Sequence, residues 1–213
     1  MIYYVGIDPS INSTGICIQK FNQDKKISEY FIILKSCDKN KDESKWLTKK
    51  EKLAEEKLYN FQYCFYPKID LSQYKDLNHQ YEYWKTNNMC ICAKTIYEIV
   101  KEWTKDNPEE IYITMEGISY GSASRTKSIF DLAGLNYLVR DKFIKKENII
   151  LTIATPSAIK KFASGNGNCN KDIMVNLFLT ANPELSIVPK VDDVGDAWFM
   201  SNYSKNIIKN EEA

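Results

Sequence analysis

Apolar and polar positions along this 213-residue chain follow two different periods, and each change of period marks an element. Residues 2–8 form a short β-rich run that ends on Asp8 and Pro9, the pattern of a strand entering a turn. Residues 14–19 and 27–34 have the same apolar, β-branched character, with a polar turn at 22–26 between them. Three such runs on short connections predict an antiparallel meander. Ser44 reads as an N-cap, and Leu47, Ala54, Leu58 and Phe61 follow at helical spacing. That helix runs into an aromatic-rich stretch, from Tyr59 to Trp84, punctuated by Pro67, Asn78, Asn87 and Asn88. Residues 38–88 therefore read as an insertion, helical at its start and without a firm element afterwards.

The second half is more regular. Ile91, Thr95, Ile96, Ile99, Val100 and Trp103 share one face of a helix over about 90–104, which Asp106, Asn107 and Pro108 end. Residues 111–115 are the apolar body of a fourth strand, closed by Glu116 just before Gly117. Ile129, Leu132, Ala133, Leu135, Leu138 and Val139 predict a core helix over 124–143. A fifth strand at 149–153, a short helix opened by Pro156, a Gly/Asn loop at 165–170 and helices at 172–179 and 191–207 complete the order. The expectation is an α/β fold with a mixed five-stranded sheet flanked by helices, in one domain spanning 1–213.

Composition narrows the classes. No apolar run approaches the roughly 18 to 20 residues that span a bilayer, and the N-terminus lacks a secretory pattern, so a cytoplasmic protein with no membrane partner is expected. Six scattered cysteines and a single histidine, His79, offer no zinc-ligand spacing. A net charge of +1 argues against a protein that coats nucleic acid through bulk positive charge. Local basic groups remain: Arg125 with Lys127, then Arg140, Lys142, Lys145 and Lys146, then Lys160, Lys161 and Lys171. Solvated helix faces account for such groups equally well.

The acids carry the sharper signal. Asp8 ends the first strand, Glu116 ends the fourth, and Asp193 and Asp196, three apart, share one face of the last helix. Each alone has a plain explanation as a turn residue, a solvated strand end or a cap. Together they supply the carboxylates that two Mg²⁺ ions about 4 Å apart need for phosphodiester hydrolysis. Asp192 points elsewhere and reads as a supporting or capping residue.

These segments resemble, in order, the motifs of the RuvC-type Holliday junction resolvases of the RNase H-like superfamily. VGIDPSINSTGICI is similar to their first acidic motif, with Asp8, Thr14 and Gly15. ITMEGISYGS with IFDLAGLNYLV resembles the second acidic motif and its following helix. TPSAIKKFASGNGNCNKDIM resembles their Pro-containing helix and Gly-x-Gly loop, and VDDVGDAWFM their final Asp-x-x-Asp-Ala helix. The resemblance covers nearly all of the chain except 38–88. It implies an RNase H-like fold and a nuclease acting on four-way junctions. Asp8, Glu116, Asp193 and Asp196 would bind two Mg²⁺ ions, with Mn²⁺ as a substitute, and water would attack the phosphorus. It also implies a catalytic role for Lys171, phosphate or DNA contacts at Lys160, Lys161, Gly165 and Gly167, and a homodimer built on the helix at 124–143. Arg125 and Lys127 are further candidate DNA contacts.

Two departures stand out. Ser10 replaces a glycine common in the first motif, and the aromatic wedge expected after Glu116 falls on Ser119, with Tyr120 one residue later. Tyr120 is the candidate for stacking on an unpaired base. The aromatics of the insertion, among them Tyr63, Tyr66, Tyr81 and Trp84, offer a stacking or protein-binding surface or else a satellite hydrophobic cluster. Two other activities stay open. The same acids would serve a less selective nuclease of branched or flap DNA. GIDPSINSTG also resembles the first phosphate motif of actin-like sugar kinases, although 213 residues leave little room for the second domain copy those proteins need. The Lys, Asn, Ile and Tyr content is that of an AT-rich coding genome, as in phages and large DNA viruses.

Overall fold

Strand β1 (Ile2–Asp8) pairs antiparallel with β2 (Ser13–Asn22), and β2 pairs antiparallel with β3 (Lys25–Cys37), which is the expected meander. The computed structural model describes residues 1–37, 60–67, 77–106, 108–118 and 126–211. Strand β4 (Phe61–Pro67) lies parallel to β3, and β5 (Glu110–Glu116) and β6 (Ile149–Ala154) lie parallel to β1 and to each other. The sheet order is β4-β3-β2-β1-β5-β6. Helices α1 (Leu77–Trp103) and α2 (Thr126–Phe143) cover one face. Helices α3 (Pro156–Ser164), α4 (Lys171–Ala181) and α5 (Val191–Glu211), with a 3-10 turn at Pro183–Ile187, cover the other. No described helix is long and apolar enough to cross a membrane.

Two cores result, and strand alternation sorts residues between them. Val5, Ile7, Ile16, Ile18, Ile32 and Leu34 face α1 and α2, where Ile96, Leu135 and Val139 meet them. Cys17, Phe31 and Ile33 face the other way, onto Phe178 of α4 and Val194, Ala197 and Met200 of α5. Burying each large aliphatic residue stabilises the fold by about 1.5–3 kcal/mol.

The sheet has six strands where five were expected. β4 was missed because its residues divide between both cores: Tyr63 packs with the α5 side and Tyr66 with the α1 side. Burial on both faces removes the apolar/polar alternation by which a strand is read. Tyr63 and Tyr66 are therefore part of the cores and not a satellite cluster. Phe61, expected at the end of a helix, opens this strand; the rest of that expected helix, from Ser44 to Leu58, lies outside the described residues. Helix α1 also starts earlier than expected, at Leu77. Asn87 and Asn88 looked like breakers, yet Asn88 Nδ2 donates to the Trp84 carbonyl one turn back (3.0 Å), as Thr86 Oγ1 does to that of Glu82 (2.8 Å). Polar side chains satisfied within the helix do not end it. Leu132, read as a core position, is 38% exposed, while Leu135, Val139 and Phe143 carry the buried face of α2.

Candidate active site

The four acids are assembled by backbone packing. The β1–β5 register pairs Ile7 with Met115, so Asp8 and Glu116 are the next residues on neighbouring strands. The turn after Asp8 is closed from both directions by Thr14, whose Oγ1 donates to the Ser10 carbonyl (2.8 Å) and accepts from the Ser10 amide (3.0 Å). Helix α5 then lies flush on β1 and β2. A Cβ on Gly15 would sit 1.9 Å from the Asp193 carbonyl oxygen, and one on Gly6 would sit 1.8 Å from that of Ala197. Only glycine permits that approach, and it brings Asp193 and Asp196 over the end of β1.

Supporting groups fix the side chains. Ser13 Oγ donates a short hydrogen bond to Asp193 Oδ2. Lys35, paired with Ser13 in the β2–β3 register, is buried nearby and opposes the rise in the Asp193 pKa. Tyr63 of β4 donates to the Pro189 carbonyl (3.2 Å) in the segment leading into α5. Asn136 of α2 donates from Nδ2 to the Glu116 carbonyl (2.8 Å), tying that helix to the end of β5. None of Ser13, Lys35, Tyr63 and Asn136 was singled out for the site from the sequence. Asn136 did leave a signal, as an amide inside the apolar helix pattern LAGLNYLV.

The electrostatics report unmatched negative charge. Burial, reinforced by Glu116, Asp196 and Asp193, pushes the Asp8 carboxyl well above the usual range. Burial and Asp196 push Glu116 up to about 7 against the pull of Lys160 and Lys171. Burial, with Asp192 and Asp193 adding to it, raises Asp196 to about 6 while Lys171 opposes. Burial also raises Asp193, although the Ser13 hydroxyl restrains it. Asp192 differs. Burial works against its charge, but its ion pair with Lys171 Nζ (2.6 Å) holds its pKa below the usual value.

Four oxygen donors that repel one another in a desolvated patch fit hard divalent cations, which accept oxygen ligands and supply the missing charge. The acids perturb one another, yet among the described residues no three carboxylate, thiol or imidazole groups already form a cation-holding cluster.

The basic side of the site is a cleft of about 130 Å³ in which Lys160 and Lys171 face Glu116 and Asp196. Lys161, the next residue along α3, is exposed. Gly165 ends α3 in the left-handed conformation (φ 77°), and Gly167 lies against Ser157, whose carbonyl oxygen would be 3.1 Å from a Cβ there. Both glycines thus have a local conformational or packing reason. Tyr120, Arg125 and the side chain of Lys127 lie outside the described residues.

The fold and site define a class: an α/β protein with a mixed six-stranded sheet between two helical layers, and carboxylates at the ends of β1 and β5 and on the helix crossing them. No protein-family model and no curated protein matches the sequence. Among solved structures the chain is similar to RuvC of Thermus thermophilus, with a TM-score of 0.51 and 10% identity over 97% of this chain and 96% of that one. RuvC of T. thermophilus in complex with a Holliday junction substrate aligns with a TM-score of 0.48 and 11% identity, covering 98% and 97% of the two chains. The yeast mitochondrial Holliday junction resolvase Ydc2 aligns at 0.45 and 16%, covering 98% and 83%. The particular architecture is thus the one seen in RuvC, a likeness of fold.

Proposed function

We propose that this protein is a divalent-metal-dependent, structure-selective DNA endonuclease that resolves four-way (Holliday) junctions by paired nicks, with residues 1–213 working as one nuclease domain. The observation that carries the reading is the placement of Asp8 and Glu116 on adjacent strand ends, with the helix that carries Asp193 and Asp196 packed against β1 and β2, in one half-buried patch where the acids raise one another's pKa. Mg²⁺, with Mn²⁺ as a substitute, fits these donors. Two such ions, when bound, supply Lewis acidity and a water of lowered pKa for attack on the phosphodiester. The chain's own residues position and neutralise. Ser13 orients Asp193, Asn136 anchors the Glu116 backbone, and Thr14 holds the turn behind Asp8. Lys160 and Lys171, facing Glu116 and Asp196 across the cleft, offset charge growing on the phosphate oxygens. Lys161 and the Gly165–Gly167 loop contact the DNA backbone, as do Arg125 and Lys127, and Tyr120 stacks on a base.

The reading includes a homodimer that sets two acid patches on opposed strands of a junction. Phe130 (76% exposed), Tyr137 (59%) and, one residue past the end of α2, Ile144 (66%) recur every seven residues along one side. Such a stripe supports burial against a second copy.

The test is cleavage of a synthetic four-way junction with Mg²⁺. Asp8→Asn is expected to lose about 10³-fold or more in rate while keeping DNA binding, because several kcal/mol of transition-state stabilisation pass through the metal ligands. Wild-type rates in that variant would end the proposal. Symmetric paired nicks, compared with cutting of Y-forks and linear duplex, separate a resolvase from a less selective branched-DNA nuclease.

A further inference from the structure

Beside the acids, on the side of the sheet opposite the Lys160–Lys171 cleft, lies a larger pocket of about 400 Å³ that the reaction above leaves without a task. Its rim on one side is the β1–β2 turn, with Ser10 and Asn12; on the other are Tyr81 and Trp84 of α1 and Leu132 of α2. Ser10 is only two residues after Asp8, at most about 7 Å of extended chain. Thr14 closes that turn through both the amide and the carbonyl of Ser10. Ile11, between the two rim residues, packs into the α1–α2 core.

The lining defines the occupant. Tyr81 and Trp84 stack on each other, with centroids 5.5 Å apart and 28° between planes, and form an aromatic wall. The pocket holds two charged side chains, Lys85 and Asp131, and these pair with each other at 2.6 Å. Their charges cancel, so nothing in the pocket draws a phosphate. An uncharged planar group fits, with polar edges for Asn12 and the Lys85–Asp131 pair and a π-face for the aromatic wall. The volume falls within the ~300–1,000 Å³ range of pockets that enclose small ligands. On DNA, bases follow one another about 3.4 Å apart along a strand, so the nucleotides reaching this pocket are those within one or two positions of a phosphate at Asp8.

We propose that this pocket takes one unstacked nucleobase of the substrate strand adjacent to the scissile phosphate, making Trp84 and Tyr81 determinants of where the strand is cut. The proposal rests on the nuclease reading above. The aromatic wall comes from the segment that the sequence resemblance leaves uncovered.

The experiment is an abasic scan. Each nucleotide within two positions of the cleavage site of a four-way junction is replaced in turn by an abasic analogue, and cleavage with Mg²⁺ is followed for wild type, Trp84→Ala and Leu132→Trp. Leu132 is 38% exposed at the rim, so tryptophan there fills the pocket without entering the core and serves if Trp84→Ala folds poorly. Base–aromatic stacking implies a loss of roughly 5- to 100-fold in kcat/KM at a single position for wild type. The variants are expected to cut the intact junction more slowly by a similar factor and to show no additional loss at that position. Wild-type cutting that is indifferent to every abasic substitution overturns the pocket alone, as does undiminished sensitivity in both variants. A wild-type protein that cuts no DNA overturns the nuclease reading and this proposal with it.

Discussion

The two sides of the acid patch are built by opposite means. On the α5 side, carboxylates are placed by backbone: Gly6 and Gly15 let the helix rest on the strands, and Ser13 fixes Asp193. On the α3–α4 side, countercharge arrives on long side chains, and the Lys171 side chain is 62% exposed even while paired with Asp192. Groups that share a cation must converge within a few tenths of an ångström, whereas an ammonium acting as a point charge tolerates reach and motion. The negative half of the site is therefore coupled to the stability of the fold, and the positive half is nearly independent of it.

Gly15→Ala tests that contrast most severely. Its Cβ would meet the Asp193 backbone, so the variant is expected to lose more than about 3 kcal/mol in denaturant unfolding, beyond ordinary overpacking. Stability within 1 kcal/mol of wild type would show that α5 does not rest on β2 as described. A pH series comes next in size. The raised carboxyls bind protons more tightly in the folded state than in the unfolded chain, so their contribution to metal-free stability is fully present below about pH 4, the ordinary carboxylate range, and is lost as pH rises towards about 7, where Glu116 ionises. The melting temperature without metal should thus drop from pH 5 to pH 8, and Mg²⁺ should restore it at pH 8. A flat profile would count against the repulsive patch. Asp8→Asn removes one of the repelling charges and should stabilise the metal-free protein at pH 8 by about 1 kcal/mol, a rise of roughly 2–4 °C. The same substitution is expected to slow cutting about 10³-fold or more, so stability and activity should move in opposite directions. Lys171→Met should shift stability least, within about 1 kcal/mol for a pair whose lysine is mostly exposed. Its cleavage rate should still fall about 10- to 100-fold, measured as kcat on the junction; a large drop in melting temperature would place Lys171 among the fold's supports instead.

Local pattern carried much of this structure. The five strands read from the sequence are all present, Asp8 and Glu116 close their strands, and the three-residue spacing of Asp193 and Asp196 gives them a shared helix face. These features depend on neighbours within a few residues, where period, caps and turn residues act directly. What lies further apart was decided by tertiary packing. β4 became legible only as a strand once both cores were there to bury Tyr63 and Tyr66. Gly15 took its meaning from a helix that begins 176 residues later, at Val191. The pocket of Tyr81 and Trp84 exists because α1, α2 and the β1–β2 turn meet there. One-dimensional order sets which face a side chain takes on its own element; it does not set which element that face meets, since that follows from closing the whole sheet and packing both its sides.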